Sequence, residues 1–165
     1  MSAPKQLAVI DIDGVLADVR HRLHFVQQQP KDWSGFFAAA RRDPPLEEGI
    51  ETVRRLSEVY RIVYLSGRPE HCRKDTLDWF KRHDLPAGEL HLRPHSDRRP
   101  ARLMKVEVLG RLSREAPVAV LGDDDEDVCA AAREAGYDVL PATWMHEAPE
   151  EHAALRQAQE SEGRT

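Results

Sequence analysis

Leu7-Ala8-Val9-Ile10-Asp11-Ile12-Asp13-Gly14-Val15-Leu16-Ala17-Asp18 is the stretch on which the reading of this chain turns. Its first four residues are short, apolar and partly β-branched, which predicts a strand covered on both faces. The two carboxylates that follow lie two positions apart, so in extended geometry Asp11 and Asp13 project to one side. Gly14 then lets the chain turn sharply. Carboxylates crowded in this way repel one another unless a cation or a proton intervenes. A solvated acidic turn would account for the acids alone. Their delivery by an apolar strand favours a nucleophile and an acid–base pair on a hard metal ion.

Outward from this segment, short apolar runs recur at 62–65, 90–92, 118–121 and, more weakly, 138–140. Helical patterns separate them. Ile50, Val53, Leu56 and Val59 recur every third residue and predict a helix over 46–60. Pro69 suits the first turn of a second helix, with Leu77 and Phe80 facing inward and a loop at 84–88 ending it. Leu103, Val106, Leu109 and Leu112 mark a third, and a fourth runs over 125–134 and stops at Gly136. Strands alternating with helices predict an α/β fold, a doubly wound parallel sheet with helices on both faces. Residues 18–45 fall outside the alternation. A helix over 21–29, Asp32 as cap of a helix over 33–41, and the stop at Pro44-Pro45 read as a small helical insertion after the first strand, over the active edge. The expected organisation is one domain over 1–146, with 18–45 as its insertion, and a polar tail over 147–165 that is a surface helix or a frayed end.

Ligands of such sheets bind at the carboxyl ends of the strands. After the second strand come Ser66-Gly67-Arg68-Pro69, a hydroxyl and a bidentate guanidinium suited to a phosphate beside a helix start. After the third come Arg93, Asp97, Arg98 and Arg99, then Arg102 and Lys105, where an ammonium can neutralise phosphate and carboxylate together. The fourth ends in Asp123-Asp124-Asp125-Glu126-Asp127, whose oxygens suit Mg²⁺. Asp127 reads as an acid behind the metal ligands or as a solvated helix-start acid.

The 165 residues carry a formal charge of −5, but unevenly: residues 54–114 are +7 and residues 115–165 are −10. The bland total says little about partners; the local clusters carry the information. No apolar run approaches the ~18–20 residues of a membrane span. The N-terminus lacks a signal-peptide core, which leads us to expect a cytoplasmic protein. Cys72 and Cys129 are the only cysteines and form no C-x-x-C pair, so buried thiols are expected rather than a zinc site or disulfide. His21/His24 and His91/His95 have helix-compatible spacings without an H-E-x-x-H pattern.

Carboxylates, a hydroxyl, a lysine and further carboxylates at four successive strand ends resemble the four-motif pattern of the haloacid dehalogenase (HAD) superfamily, over roughly residues 7–145. Within it, the D-x-D-G-x-L-A start, Arg22, Ser66-Gly67-Arg68, Asp97 eight residues before Lys105, and Asp123-Asp124 look like the phosphatase domain of bacteriophage-type polynucleotide kinase–phosphatases. The sequence departs from that pattern in having no Gly-x-x-x-x-Gly-Lys-Ser/Thr kinase segment and a longer 18–45 insertion. The resemblance implies a Mg²⁺-dependent phosphatase. Asp11 would be the nucleophile forming an aspartyl-phosphate. Asp13 would be the acid and base, and its role requires a raised pKa. Ser66, Arg68 and Lys105 would stabilise the transferring phosphoryl group. Arg22 and Asp97 would position substrate or order the arginines. The metal would lie on Asp11, the Asp13 backbone carbonyl, and Asp123 or Asp124.

The expected partner is a phosphorylated substrate, a DNA or RNA 3′-phosphate end, with a nucleotide or small phosphorylated metabolite as the alternative. Neither a membrane nor a partner protein is indicated. Trp33, Phe36 and Phe37 have helix spacing and read as packing rather than as a base-stacking platform. A receiver module of the response-regulator type also places acids, a hydroxyl and a lysine around Mg²⁺. Its acidic pair, however, would follow the first strand and its lysine the last, the reverse of Lys105 and Asp123-Asp124.

Overall fold

The computed structural model describes residues 5–145 and 153–165. The reading of Met1–Pro4 and the proposed boundary at 146/147 lie outside those residues. Five strands, β1 (Leu7–Ile10), β2 (Arg61–Pro69), β3 (Gly88–Arg93), β4 (Val118–Asp123) and β5 (Val139–Pro141), form one sheet in the order β3-β2-β1-β4-β5. Every pairing is parallel. Alternation along the strands feeds two cores. Ala8, Ile10, Ile62 and Tyr64 face one side, where α3 (Glu47–Val59) and α4 (Arg73–Arg82) pack through Ile50, Val53, Trp79 and Phe80. Leu7, Val9, Val63 and Leu65 face the other side, against α5 (Ala101–Ser113) and α6 (Glu126–Glu134) through Met104, Leu109, Val128 and Ala132. This is the doubly wound α/β sheet that the sequence predicts.

The winding reverses between β1 and β4, and the crevice at such a reversal is where ligands of these sheets bind. The Asp11 N–H donates to Gly122 O across it at 2.9 Å, tying the end of β1 to the end of β4.

Three features depart from the sequence reading. The inward face of α4 is Thr76, Trp79 and Phe80, while Leu77 is 44% exposed. Val59 and Leu103 are exposed as well, although Ile50 and Leu109 on the same helices are buried. A spacing of three lags the 3.6-residue turn by about 60° per step, so residues nine apart stand on opposite faces. Finally, β2 runs on through Ser66, Gly67, Arg68 and Pro69, and a single 3-10 turn (Glu70–Cys72) separates it from α4. The motif therefore lies on the strand and not at a helix start.

The insertion forms a 3-10 turn (Arg20–Arg22), α1 (His24–Gln27), α2 (Trp33–Ala39) and a second 3-10 turn (Ala40–Arg42). Asp32 caps α2 by accepting from Gly35 N–H at 2.8 Å. A third core of Val19, Leu23, Val26, Phe36 and Phe37 holds it together, and Leu155 of α7 (Ala153–Ser161) belongs to that core. Cys72 and Cys129 are buried free thiols, which burial pushes up to about 11 and about 12. Among the described residues, no helix is long and apolar enough to cross a membrane.

Candidate active site

Asp11 and Asp13 leave β1 in a tight loop. The N–H groups of Val15, Leu16 and Ala17 all donate to Ile12 O, and Gly14 N–H donates to Ala17 O at 3.0 Å. Gly14 has φ +79°, and a Cβ there would stand 2.1 Å from Asp124 Oδ2. Glycine is thus required twice, for its backbone and for its lack of a side chain.

Two charge networks meet at this loop. In the first, Lys105 Nζ stands 2.7 Å from Asp123 Oδ2 and 3.2 Å from Asp11 Oδ1. Asp11, Asp123 and Asp124 each offer a carboxylate oxygen within 4.8 Å of the others. Burial and then the neighbouring Asp123 raise the Asp11 carboxyl well above its ordinary range, and the same two causes push Asp124 up to about 8. Burial would lower the Lys105 pKa, but Asp11 and Asp123 raise it, so the ammonium stays charged. Carboxylates forced to share this little space lack positive charge.

The second network surrounds Asp13. Its Oδ1 accepts from Arg22 Nη2 at 2.9 Å and from Arg68 Nη2 and Nε at 2.6 and 3.1 Å. Its Oδ2 is buried and has no hydrogen-bond partner among the described residues. Burial pushes the Asp13 carboxyl up, but the Arg68 and Arg22 charges outweigh it and bring the pKa down to about 2. The expectation of a raised pKa is therefore corrected for the substrate-free protein.

Both guanidinium groups are themselves anchored by a residue that the sequence did not reveal. Asp43 closes the insertion and is wholly buried. Its Oδ1 accepts from Arg22 Nε at 2.8 Å and pairs with His21 Nε2 at 2.6 Å. Its Oδ2 accepts from Arg22 Nη2 at 2.8 Å and from Arg68 Nη2 at 3.1 Å. Thr76 Oγ1, on α4, accepts from Arg68 Nη1 at 3.0 Å. The only local signal at Asp43 is its place beside Arg41-Arg42 and Pro44-Pro45, which reads as a loop.

Ser66 is buried on β2, and its Oγ accepts from Arg68 N–H at 3.1 Å. Asp97 stands apart from the cluster around Asp13. It accepts from Arg99 Nε and Nη2 at 3.1 and 2.8 Å and lies 3.8 Å from Arg93 Nη1, so it orders arginines of its own loop. Asp125 caps α6 by accepting from the Asp127 and Val128 N–H groups. Glu126 and Asp127 are exposed in the first turn, where the helix dipole favours acids. Within the +7 segment Arg99 pairs with Glu107 and Asp97, acids of the same segment, while Arg102 pairs with Glu160 of α7 at 3.0 Å.

Acids, a hydroxyl and further acids at the strand ends of a doubly wound sheet, with a lysine on the helix before the last acids, make up the arrangement of a HAD-type phosphatase domain. A family model described as "Polynucleotide kinase PNKP phosphatase domain" matches residues 5–143, and the chain belongs to that family. Among solved structures, the chain resembles one from a Pnkp1/Rnl/Hen1 complex with a TM-score of 0.68 and 20% identity, over 86% of this chain and 46% of that one. It is also similar to a haloacid dehalogenase-like hydrolase of Streptococcus pneumoniae (TM-score 0.62, 15% identity, 98% and 93% covered). A Class C acid phosphatase of Bacillus anthracis with tungstate bound is similar too (TM-score 0.60, 15% identity, 96% and 79% covered). The chain thus spans less than half the length of the Pnkp1/Rnl/Hen1 chain it matches. A search of curated proteins found no match.

Proposed function

We propose that this protein is a Mg²⁺-dependent phosphomonoesterase that removes 3′-phosphates from nucleic-acid ends through an aspartyl-phosphate on Asp11. The observation that carries the chemistry is the split environment of Asp13. One oxygen is held by two buried arginines, and the other is buried with no hydrogen-bond partner among the described residues. The choice of nucleic-acid ends rests on the family match.

In this reading, Asp11 attacks phosphorus as the bond to the 3′ oxygen breaks. Asp13 gives a proton to the departing alkoxide from Oδ2. In the second step, Asp13 takes a proton from water as that water attacks the aspartyl-phosphate, which releases phosphate and restores Asp11. The free carboxyl, at about 2, is already in the state that the second step needs. The first step needs it protonated. A phosphate dianion arriving beside Arg68 competes for the same guanidinium charge and lets the Asp13 pKa rise. Ser66, Arg68 and Lys105 face the transferring group as fixed donors. Arg22 and Asp43 position Arg68 and Asp13, and Asp97 orders the Arg93–Arg99 loop. The 18–45 insertion acts as a small cap, since it supplies Arg22 and Asp43.

The crowded carboxylates of Asp11, Asp123 and Asp124, two of them with raised pKa values, fit a hard divalent cation. As the family resemblance implies, Asp13 would contribute through its backbone carbonyl, which leaves Oδ2 to the proton transfer. When bound, Mg²⁺ would screen repulsion between the attacking carboxylate and the phosphate dianion and draw charge from the phosphoryl oxygens.

The test is a Mg²⁺-supplemented panel of 3′-phosphorylated DNA and RNA, 5′-phosphorylated ends and small phosphorylated metabolites, run on wild type and Asp11→Asn. Release from 3′ ends by wild type alone is expected. Wild-type turnover by Asp11→Asn would refute the nucleophile assignment, and activity confined to metabolites would refute the substrate.

A further inference from the structure

A cavity of about 220 Å³ opens beside the end of β2 and has no part in the chemistry above. Its walls come from four separate segments. Trp33 and Phe37 of α2 form one side, Pro69 and His71 a second, and His95 and Arg98 a third; Arg164 comes from beyond α7. Pro69 directly follows Arg68, so the wall begins one Cα step, about 3.8 Å, from a residue whose guanidinium touches Asp13. One buried side chain joins these walls. Arg93 donates through Nε to Gly67 O at 3.3 Å, through Nη1 to Arg99 O at 2.9 Å, and through Nη2 to Thr165 O at 3.1 Å. Thr165 abuts Gly67 so closely that a Cβ on Gly67 would fall 2.1 Å from its backbone carbon. The cavity is therefore rigidly placed relative to Ser66 and Arg68.

Its chemistry is one-sided. Every ionisable group on the wall is a histidine or an arginine, and no carboxylate lines it. Trp33 is half-buried at its edge, while Phe36 and Phe37 are packed beneath, with Phe37 stacked on Trp33 at 5.7 Å. Of the three aromatics that the sequence marks as packing, only Trp33 retains an accessible ring. The Arg164 guanidinium stands 5.3 Å above that ring, and its Nε is buried with no hydrogen-bond partner among the described residues. An unsatisfied buried donor on the wall of a cavity calls for an acceptor from outside the protein.

We propose that this cavity receives the base of the nucleotide that carries the phosphate, seated on the open edge of Trp33 and on the Arg164 guanidinium that lies over that ring, with its carbonyl or ring-nitrogen acceptors turned to Arg98 and Arg164. This rests on the reading of Asp11 to Lys105 as the phosphate-handling site. A guanidinium plane backed by an aromatic ring takes any base through its π surface, and the arginines suit the acceptors on a base edge and the adjoining phosphate. The match of a cationic, aromatic slot to a base on an anionic backbone identifies the occupant.

The test compares kcat/KM on a 3′-phosphorylated oligonucleotide with the same strand ending in an abasic tetrahydrofuran 3′-phosphate. A second pair is a nucleoside 3′-monophosphate and glycerol phosphate. Wild type is expected to favour the base-bearing member of each pair about tenfold, mainly through KM. Trp33→Ala should bring that ratio close to one, and Arg98→Ala should lower it. Because Trp33 packs on Phe36 and Phe37, Arg98→Ala at an exposed guanidinium carries the test if Trp33→Ala does not fold. A wild-type ratio near one, or a ratio unchanged in the folded variants, overturns the proposal. Base-independent cleavage of 3′ ends would remove the base site and leave the proposed function standing. A base preference on mononucleotides with no action on oligonucleotides would do the reverse.

Discussion

Asp13 and Asp43 show how one carboxylate can set the state of another through the cations between them. Asp43 anchors Arg22 and Arg68, and those guanidinium groups hold Asp13 Oδ1. Asp43→Ala leaves two buried guanidinium groups short of a counter-charge. Removing one partner of such a network costs about 3–5 kcal/mol, and the expected loss is read by denaturant unfolding. Asp43→Asn keeps the volume but turns one acceptor oxygen into an N–H donor facing guanidinium N–H groups, so only about half of the hydrogen bonding survives. It should fold, but with Arg68 and Asp13 displaced it should lose about 10²-fold in kcat, with a smaller change in KM. Asp13→Asn removes proton transfer and should lower kcat by about 10²–10⁴-fold while phosphate still protects the protein against heating. Arg22 was legible only through the family resemblance of the segment that follows the D-x-D-G start. Asp43 was not, because nothing in its neighbours records that it meets residues 21 and 25 positions away.

Each element buries a face that the positions of its apolar residues approximate but do not define. On α5, Leu103 is 44% exposed and Leu109 is fully buried, although both belong to the same every-third-residue pattern. Leu109→Ala should therefore destabilise the protein by about 2–5 kcal/mol. Leu103→Gln should stay within about 0.5 kcal/mol of wild type, and thermal unfolding of the pair distinguishes the faces. The strands were the more legible elements. Their short apolar runs were located within a few residues because both faces of a central parallel strand are buried, so every position in it is apolar. The extension of β2 through Ser66-Gly67-Arg68-Pro69 was not legible, since polar residues at a strand end look like a loop until the β3 pairing of Pro69 with Arg93 is known.

For the whole molecule, the two charge networks give opposite dependences on pH. Asp11 and Asp124 have pKa values raised in the fold, Asp124 from 3.8 to about 8, so the folded state binds more protons than the unfolded chain across that interval. Their contribution makes the metal-free protein more stable as pH falls from about 8 toward 4. The lowered Asp13 works the other way: its contribution is present above 3.8 and is lost as pH falls through about 2. Metal-free Tm should therefore rise on acidification to about pH 4–5 and then fall. Mg²⁺ bound at the proposed site would compete with the protons on the same carboxylates, so it should raise Tm more at pH 8 than at pH 6, and chelation should abolish the difference. Equal Mg²⁺ shifts at both pH values would argue against binding at Asp11, Asp123 and Asp124.

The amino-acid sequence by itself determined the winding of the sheet and the order in which acids, hydroxyl, lysine and acids reach its strand ends. Both follow from local pattern: apolar runs make strands, the residues just after a strand must emerge at its carboxyl end, and Lys105 lies in the second turn of the helix that follows β3. Only the tertiary structure decided which cation each carboxylate meets, that Asp13 is held ionised, that Asp43 anchors the arginines, and that residues near position 164 wall a cavity beside Arg68. Those outcomes depend on distance and burial between groups far apart in the chain, and the energy of a charge is set by its surroundings in space rather than by its neighbours in sequence.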